Sequence, residues 1–592
     1  MYKLRKNKNM KTNIKLFFAT GLIALTTGCT DLDVTPEAQY TEYPTTEEAV
    51  EAKMSDVYFH LRSTLGRRYM EAQSLSSDEW TGISFDGDYA DGGIYAQCSL
   101  HNWDPTSASI GWYEDVTAGI TKANRVIVDM GGAENDATAQ ARFMRAFYTW
   151  ILMDSYGDTP ILDHLLADDE AIDRSPRADV ARWIASELTD IIDKLPTNVD
   201  VTTYGKPTRY AAEALLAKVY INWPVYTAAS VTAYDAANYS NEHLQDVVTL
   251  IDDIIQSGEF SLSEGASGYR SKFWPNNGAQ IKDFIYAMPY DAITAQGFQY
   301  CRPRIWRQGR NDGNGGPGYF GSDIGNSTGG NFSITPEMAD VLMALSADDR
   351  QENILAGQIY MFDATTYAKT STPYKYKGTE VVLDKTIRLK YTDADNVAHY
   401  IEYEDGINNT GLYPADCAIL NTGKDVKGWS QGYKSVKYFV IREDFINGRN
   451  QSNDLPIFRY ADMLLLKAEA IARGAQATNG ETAQSLFNQI RSYVNAPTIA
   501  AAPSLNDIYQ ERGRELFDEN WRRNDQIRYG HFEDEYGFHR RGFPTARFDK
   551  ECRVFPIPQG VLDKNTNWKQ NAGFYIKIIR RFRGAVGSAL VS

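Results

Sequence analysis

The chain has 592 residues, 43% of them hydrophobic, and a formal charge of -16. Such an acid excess argues against nucleic acid and against electrostatic adhesion to anionic lipid. A chain this long can bury a large core without disulfide staples or a structural metal.

The opening stretch MYKLRKNKNMKTNIK is basic and holds no acid; an apolar run, Leu16 to Leu25, follows, then Thr26, Thr27, Gly28 and Cys29. A basic start, a short apolar middle and small residues before a break predict an export signal over residues 1–28. The run is about half the roughly twenty residues a membrane span needs. Cys29 directly after Gly28 resembles the lipobox of bacterial lipoproteins, in which the signal is cut before the cysteine and the cysteine is acylated. Loss of the leader removes six positive charges and no acid, so -16 becomes -22. The lipid chains must then hold the protein to the membrane by hydrophobic transfer.

From about 40 to 260 the pattern predicts helices. TTEEAVEAKMSDVY begins with capping threonines and first-turn acids. Phe143, Phe147, Trp150 and Ile151 fall on one helical face, with a stop near Gly157. Segments 178–195, 208–223 and 242–257 read alike, and together they predict stacked helical hairpins of tetratricopeptide type. From about 261 to 450 helical period is lost. Residues 310–331 are rich in glycine and predict loop, and 357–404 predict short strands or hairpins. Helices return from about 456 to 530, with stripes at Leu464, Leu465 and Ala468 and at Tyr509, Leu516, Phe517 and Trp521. Arg512, Glu515, Glu519, Arg522 and Asp525 alternate in sign at helical spacing, which predicts ion pairing between packed helices. The fold class is mainly α: one unit over 29–575, a helical scaffold with a loop-rich insertion, and a tail over 576–592.

No HExxH, GxSxG or GKS/T motif is present, and the seven histidines are scattered. Cys98, Cys301, Cys417 and Cys552 lie far apart without metal-like spacing. Most are expected to be free and buried, and a disulfide between two of them stays open. Asp86, Asp88 and Asp91 in DGDYADGG offer hard oxygen ligands for calcium, but their spacing misses an EF-hand loop, and a solvated turn is the preferred reading. No cofactor is otherwise expected. Tyr (37), Phe (25) and Trp (11) are plentiful, which fits a core and also fits sugar binding, because flat rings stack on the C–H faces of sugars.

Six blocks carry a resemblance: TDLDVTP with TTEEAVEAKMSDVY; Trp112, Tyr113, Ile120 and Asn124; RFMRAFYTWILMDSYGDTPIL (142–162) with TRYAAEALLAKVY (208–220); NDLPIFRYADMLLLKAEA (453–470); ERGRELFDENWRRNDQIRYG (511–530); and FPIPQG (555–560) with QNAGFY (570–575). In this order they resemble the SusD/RagB family, surface lipoproteins of Bacteroidota. The tail after Tyr575 is extra, and Asn520 stands where a glycine is commoner. The resemblance implies a non-catalytic, outer-membrane, cell-surface protein, lipid-anchored through Cys29, that captures glycans for a SusC-like TonB-dependent transporter. It implies that loops from two regions meet at one glycan site, for which the candidates are Asp78, Trp80, Tyr89, Trp103, Arg304, Trp306 and Tyr319. Two other readings stand beside it: a peptide-binding member of the family, and a glycoside hydrolase acting through an acid pair that the sequence does not pick out.

Overall fold

The computed structural model describes residues 46–132, 134–262, 268–307, 318–393, 395–402, 419–537 and 545–574. The leader, Cys29, Cys417 and the tail after Tyr575 lie outside the described residues. By contacts the chain divides into two units, Met1–Val50 and Glu51–Ser592. Of the first, only the opening of helix α1 (Glu47–Tyr58) is described, where the Thr46 hydroxyl accepts the Ala49 amide at 3.3 Å.

The second unit carries the architecture. Its longer helices are α2 (Tyr113–Asp129), α3 (Asp136–Tyr156), α4 (Arg177–Ile191), α5 (Arg209–Ile221), α6 (Leu244–Gln256), α7 (Tyr460–Ala472), α8 (Ala483–Tyr493), α9 (Leu505–Glu515) and α10 (Arg522–Tyr529). Local signals set their ends. Capping boxes start α3 (Asn135 with Thr138), α8 (Thr482 with Ser485) and α9 (Ser504 with Asp507). Gly157 ends α3 at φ 78°, and Gly530 ends α10 in the left-handed region. Consecutive helices pack pairwise from α2 to α7, and α7 in turn packs on α8 and α9. This is the expected mainly α stack of helical hairpins. Helices α6 and α7 touch although about 200 residues separate them, so the insertion leaves and re-enters the stack between two neighbours.

Short strands serve as clasps. Strand β1 (Trp80–Gly82) pairs with β3 (Phe332–Ile334), and β2 (Phe284–Met288) pairs with β6 (Leu455–Arg459), joining the start and end of the insertion. Within the insertion β4 (Arg388–Thr392) and β5 (Ala398–Glu402) form a hairpin among other two-stranded pairs, as the 357–404 pattern predicts. The stripe expected over 509–521 does not lie on one helix. The chain breaks after Glu515, with Asp518 at φ 64° and Asn520 at φ 68°. Asn520 thus occupies a backbone conformation that suits glycine and that asparagine tolerates better than most residues.

Beneath the clasps lies a buried ionic core. All five N–H donors of Arg459 are used: two on Glu519 (2.7 and 2.9 Å), one on Asp283 (2.7 Å), and two on Glu515 through its carboxylate and its carbonyl (2.8 Å each). Arg512 joins Asp462 and Asp525 at 2.8 Å each, and Arg528 joins Glu469 and Asp525. The alternating charges of 512–525 are therefore structural. Cys98, Cys301 and Cys552 are buried free thiols. Among the described residues no helix is long and apolar enough to cross a membrane.

Arg459→Ala strands three buried carboxylates with fewer cations. It is expected to lower stability by about 3–5 kcal/mol in denaturant melts. Asp454 supplies a second test. Burial pushes its carboxyl from 3.8 up to about 7, despite hydrogen bonds from the Tyr290 amide and the Tyr204 hydroxyl (2.7 Å each). Between those values the folded chain holds a proton that the unfolded chain has released, so this group's contribution to stability falls as pH rises from about 4 to 7. Asp454→Asn removes that component. The slope of stability against pH in this window should become more positive by about 1.4 kcal/mol per pH unit, measured by urea melts across the window.

Candidate functional site

The structure separates the seven expected contact residues into buried and half-exposed groups. Trp80 is 1% exposed; it stacks on Phe517 and its Nε1 donates to Asp518 Oδ1 at 2.7 Å. Arg304, also 1% exposed, pairs with the same oxygen at 3.2 Å and donates to Ser74 Oγ at 2.7 Å. Trp306 and Tyr319 are wholly enclosed; Trp306 donates to Ser430 Oγ, and both rings meet Tyr374 edge-on. Trp103 is stacked on His101 and donates to Cys98 Sγ. Asp78 accepts two 2.7 Å bonds from the Arg522 guanidinium. These six side chains are thus corrected to packing roles in this conformation. Each finds its partner inside the body and presents no ring face or charge to a ligand outside.

Tyr89 differs, and a local turn explains its position. Phe85 and Asp88 exchange backbone hydrogen bonds at 3.0 and 3.1 Å around Asp86 (φ 48°) and Gly87 (φ 93°). An Asp-Gly pair with both φ values positive is the favoured two-residue hairpin turn. The start of DGDYADGG is therefore a hairpin turn. The three carboxylates do not converge on a cation site. Asp86 pairs with Lys390 at 2.7 Å, Asp88 with Lys424 at 2.9 Å, and Asp91 lies 3.6 Å from Arg302. Among the described residues no group of three or more His, Cys, Asp or Glu is arranged to hold a metal. Partial burial pushes the Asp86 carboxyl up, but hydrogen bonds from Lys390 and Asn421 outweigh it and hold the group below its usual range.

Tyr89 itself sits at φ 59°, a strained conformation for a tyrosine. Its ring fits because position 329 is glycine: a Cβ there would lie 2.6 Å from Tyr89 Cδ1. The Arg307 guanidinium lies 4.8 Å from the Tyr89 ring centre and 5.1 Å from that of Trp429, and its Nη2 is 3.7 Å from Asp88. Trp429 meets Tyr376 edge-on at 5.6 Å. Tyr89 and Trp429 rest on an apolar floor of Ile83, Phe85, Ala96, Leu100, Ile387, Leu389 and Leu420. Tyr89, Arg307, Tyr376 and Trp429 are all half-exposed, and Lys424 is exposed at the edge. The result is a ring patch that combines flat apolar surface with hydrogen-bond donors.

The patch joins the turn region near residue 89 to the chain just after Trp306, the two regions from which candidates were drawn. Sequence reasoning reached this segment of the chain but missed Trp429 and Tyr376. Trp429 closes a four-residue helix, Val426–Trp429, capped by Asp425. A tryptophan between Gly428 and Ser430 in a polar segment is the signal that was available.

A family model described as "SusD family" matches residues 284–574, and one described as "Starch-binding associating with outer membrane" matches residues 32–221. The starch-binding protein SusD of Bacteroides thetaiotaomicron is 22% identical over 502 residues, 81% of each chain. The SusD-like protein P38 of Formosa agariphila is 43% identical over 415 residues, 65% of this chain and 76% of P38. Among solved structures, surface glycan-binding protein A from Bacteroides thetaiotaomicron in complex with laminarihexaose superposes with TM-score 0.60 at 18% identity, over 89% of this chain and 100% of that one. Matches to both halves of the chain, with a relative this similar, establish that the chain belongs to the SusD family.

Proposed function

We propose that this protein is a cell-surface glycan-binding lipoprotein that captures oligosaccharides and passes them to a SusC-like TonB-dependent transporter without cutting them. The observation that carries the proposal is the half-exposed pair of rings, Tyr89 and Trp429, flanking Arg307 on a SusD-family scaffold. The rings stack on the C–H faces of a sugar chain, while Arg307 and Lys424 donate to its hydroxyls. Relatives named for binding starch and laminarihexaose support a glycan over a peptide. Anchoring follows from acylation of Cys29.

The acids beside the patch suit binding better than hydrolysis. Asp86 is held ionised by Lys390, so it has no proton to give a leaving group. Asp88 faces Lys424 and Arg307. A glycosidase needs one carboxyl kept protonated beside one kept charged.

Trp429→Ala is expected to weaken polysaccharide binding at least about tenfold, equal to about 1.4 kcal/mol, with little change in melting temperature. Affinity gels containing starch or laminarin, followed by calorimetry, measure this, with a peptide mixture as the competing ligand class. Retention of a peptide but no polysaccharide would turn the reading to the peptide-binding alternative, and release of reducing ends from any polysaccharide would turn it to a hydrolase. Gly329→Ala tests the geometry separately. The added methyl must displace the Tyr89 ring, so binding should fall several-fold although residue 329 itself touches no ligand.

A further inference from the structure

A second cleft, of about 490 Å³, opens among elements that the ring patch does not use: the end of α3, the first turn of α4, loop 227–232 and the C-terminal segment near 551–572. Gly157, Val231 and Val554 line one part of it. A Cβ at Gly157 would lie 3.5 Å from Val554 and 3.7 Å from Val231, and φ 78° there strains any other residue. The Arg177 backbone amide, at the start of α4, donates to Asp158 Oδ1 at 2.8 Å, so that helix end is already capped by a side chain.

Arg177 also lines the cleft, and the residue is 7% exposed. Its guanidinium lies 4.8 Å from the Tyr226 ring centre. Its one described hydrogen bond is long, from Nη1 to the Val225 carbonyl at 3.5 Å. Its Nε is buried with no acceptor among the described residues, and no described carboxylate pairs with it. The neighbouring cations are committed elsewhere. Arg553 binds Glu533 and the carbonyls of Val231 and Tyr234, while Arg174 binds the carbonyls of Asp158 and Lys569 and Oδ1 of Asn571. Burial depresses the pKa of Arg177, and Asp154 and Asp158 offset part of that, yet an arginine stays charged in a protein, so a positive charge without an ion-pair partner among the described residues lies beside this space.

The rest of the lining narrows the class of partner. Asp158 and Glu551 are acidic, and the hydroxyls of Ser230 and Thr232 have only each other as described partners, at 3.2 Å. A bare inorganic anion would offer the two carboxylates no hydrogen-bond donor. A neutral sugar would leave Arg177 unmatched. A molecule with one carboxylate and several hydroxyls satisfies both halves. We infer that this cleft is a binding site for a small sugar acid, its carboxylate on Arg177 and its hydroxyls on Asp158, Glu551, Ser230 and Thr232. The volume lies within the range of small-molecule pockets.

Calorimetry on the full chain with D-glucuronate, D-glucose and L-alanine tests this. D-glucuronate should bind, and D-glucose, which lacks only the carboxylate, should bind at least about tenfold more weakly. Arg177→Gln should weaken D-glucuronate binding at least about tenfold. Should that variant fail to fold, Ser230→Trp, at an exposed position, fills the cleft and should abolish binding at an unchanged melting temperature. The inference is overturned if D-glucuronate shows no heat at about 10 mM, binds no better than D-glucose, or binds the Ser230→Trp protein as well as the parent. L-alanine binding more tightly than D-glucuronate would also overturn it, since an ammonium on the acids would then be the recognised group.

Discussion

Arg459 is the point where the separate parts of this chain are tied together. It is the last residue of β6 and directly precedes α7, so it stands where the insertion returns to the scaffold. Its partner Asp283 directly precedes β2, where the ordered clasp of the insertion begins, and Glu515 and Glu519 come from the end of α9 and the turn after it. One guanidinium therefore sets the relative positions of three chain regions. Buried charges of this kind add little net stability compared with a well-packed apolar core, because desolvation offsets most of the attraction. What they add is direction. A guanidinium with all five donors used tolerates one arrangement of its acceptors, whereas leucines tolerate several.

The same network runs outward to the insertion. Glu519 also takes Lys437, and Asp518, one residue earlier, takes Trp80, Tyr300 and Arg304. Asp78 is neutralised by Arg522. Trp80, Arg304 and Asp78, which looked like ligand contacts, are links between the ionic core and the loops. Their polar atoms are matched from within, which is why so many large polar groups are tolerated at such low exposure.

This explains what could be read from the sequence and what could not. The helices were legible because period and stop signals are local, as in the stripe on α3 and its end at Gly157. A turn in DGDYADGG was legible because Asp-Gly acts through its own backbone. Trp80 was misleading: SSDEW reads as a polar loop, and the residues that bury it, Asp518 and Phe517, lie more than 430 positions away. Trp429 was hidden for the same reason, since its neighbours Arg307, Tyr376 and Trp306 come from other stretches of the insertion. Local chemistry predicts elements, but exposure depends on which distant segment covers a side chain.

The ring patch inherits its rigidity from this arrangement, and that bears on how it binds under the proposed function. Trp306 underlies Trp429 and Tyr376, both edge-on to it, and Trp306 is itself pinned to Ser430. Tyr89 is held by a strained backbone, by the absence of a side chain at Gly329, and by Arg307 across its face. A site whose rings are already placed loses little conformational entropy when a ligand arrives, so a small contact area suffices for selective capture. Two rings and two cations offer few contacts, which limits affinity. A capturing protein that must surrender its cargo to a transporter gains from that limit. Rigidity supplies the choice of ligand, and the small number of contacts permits its release.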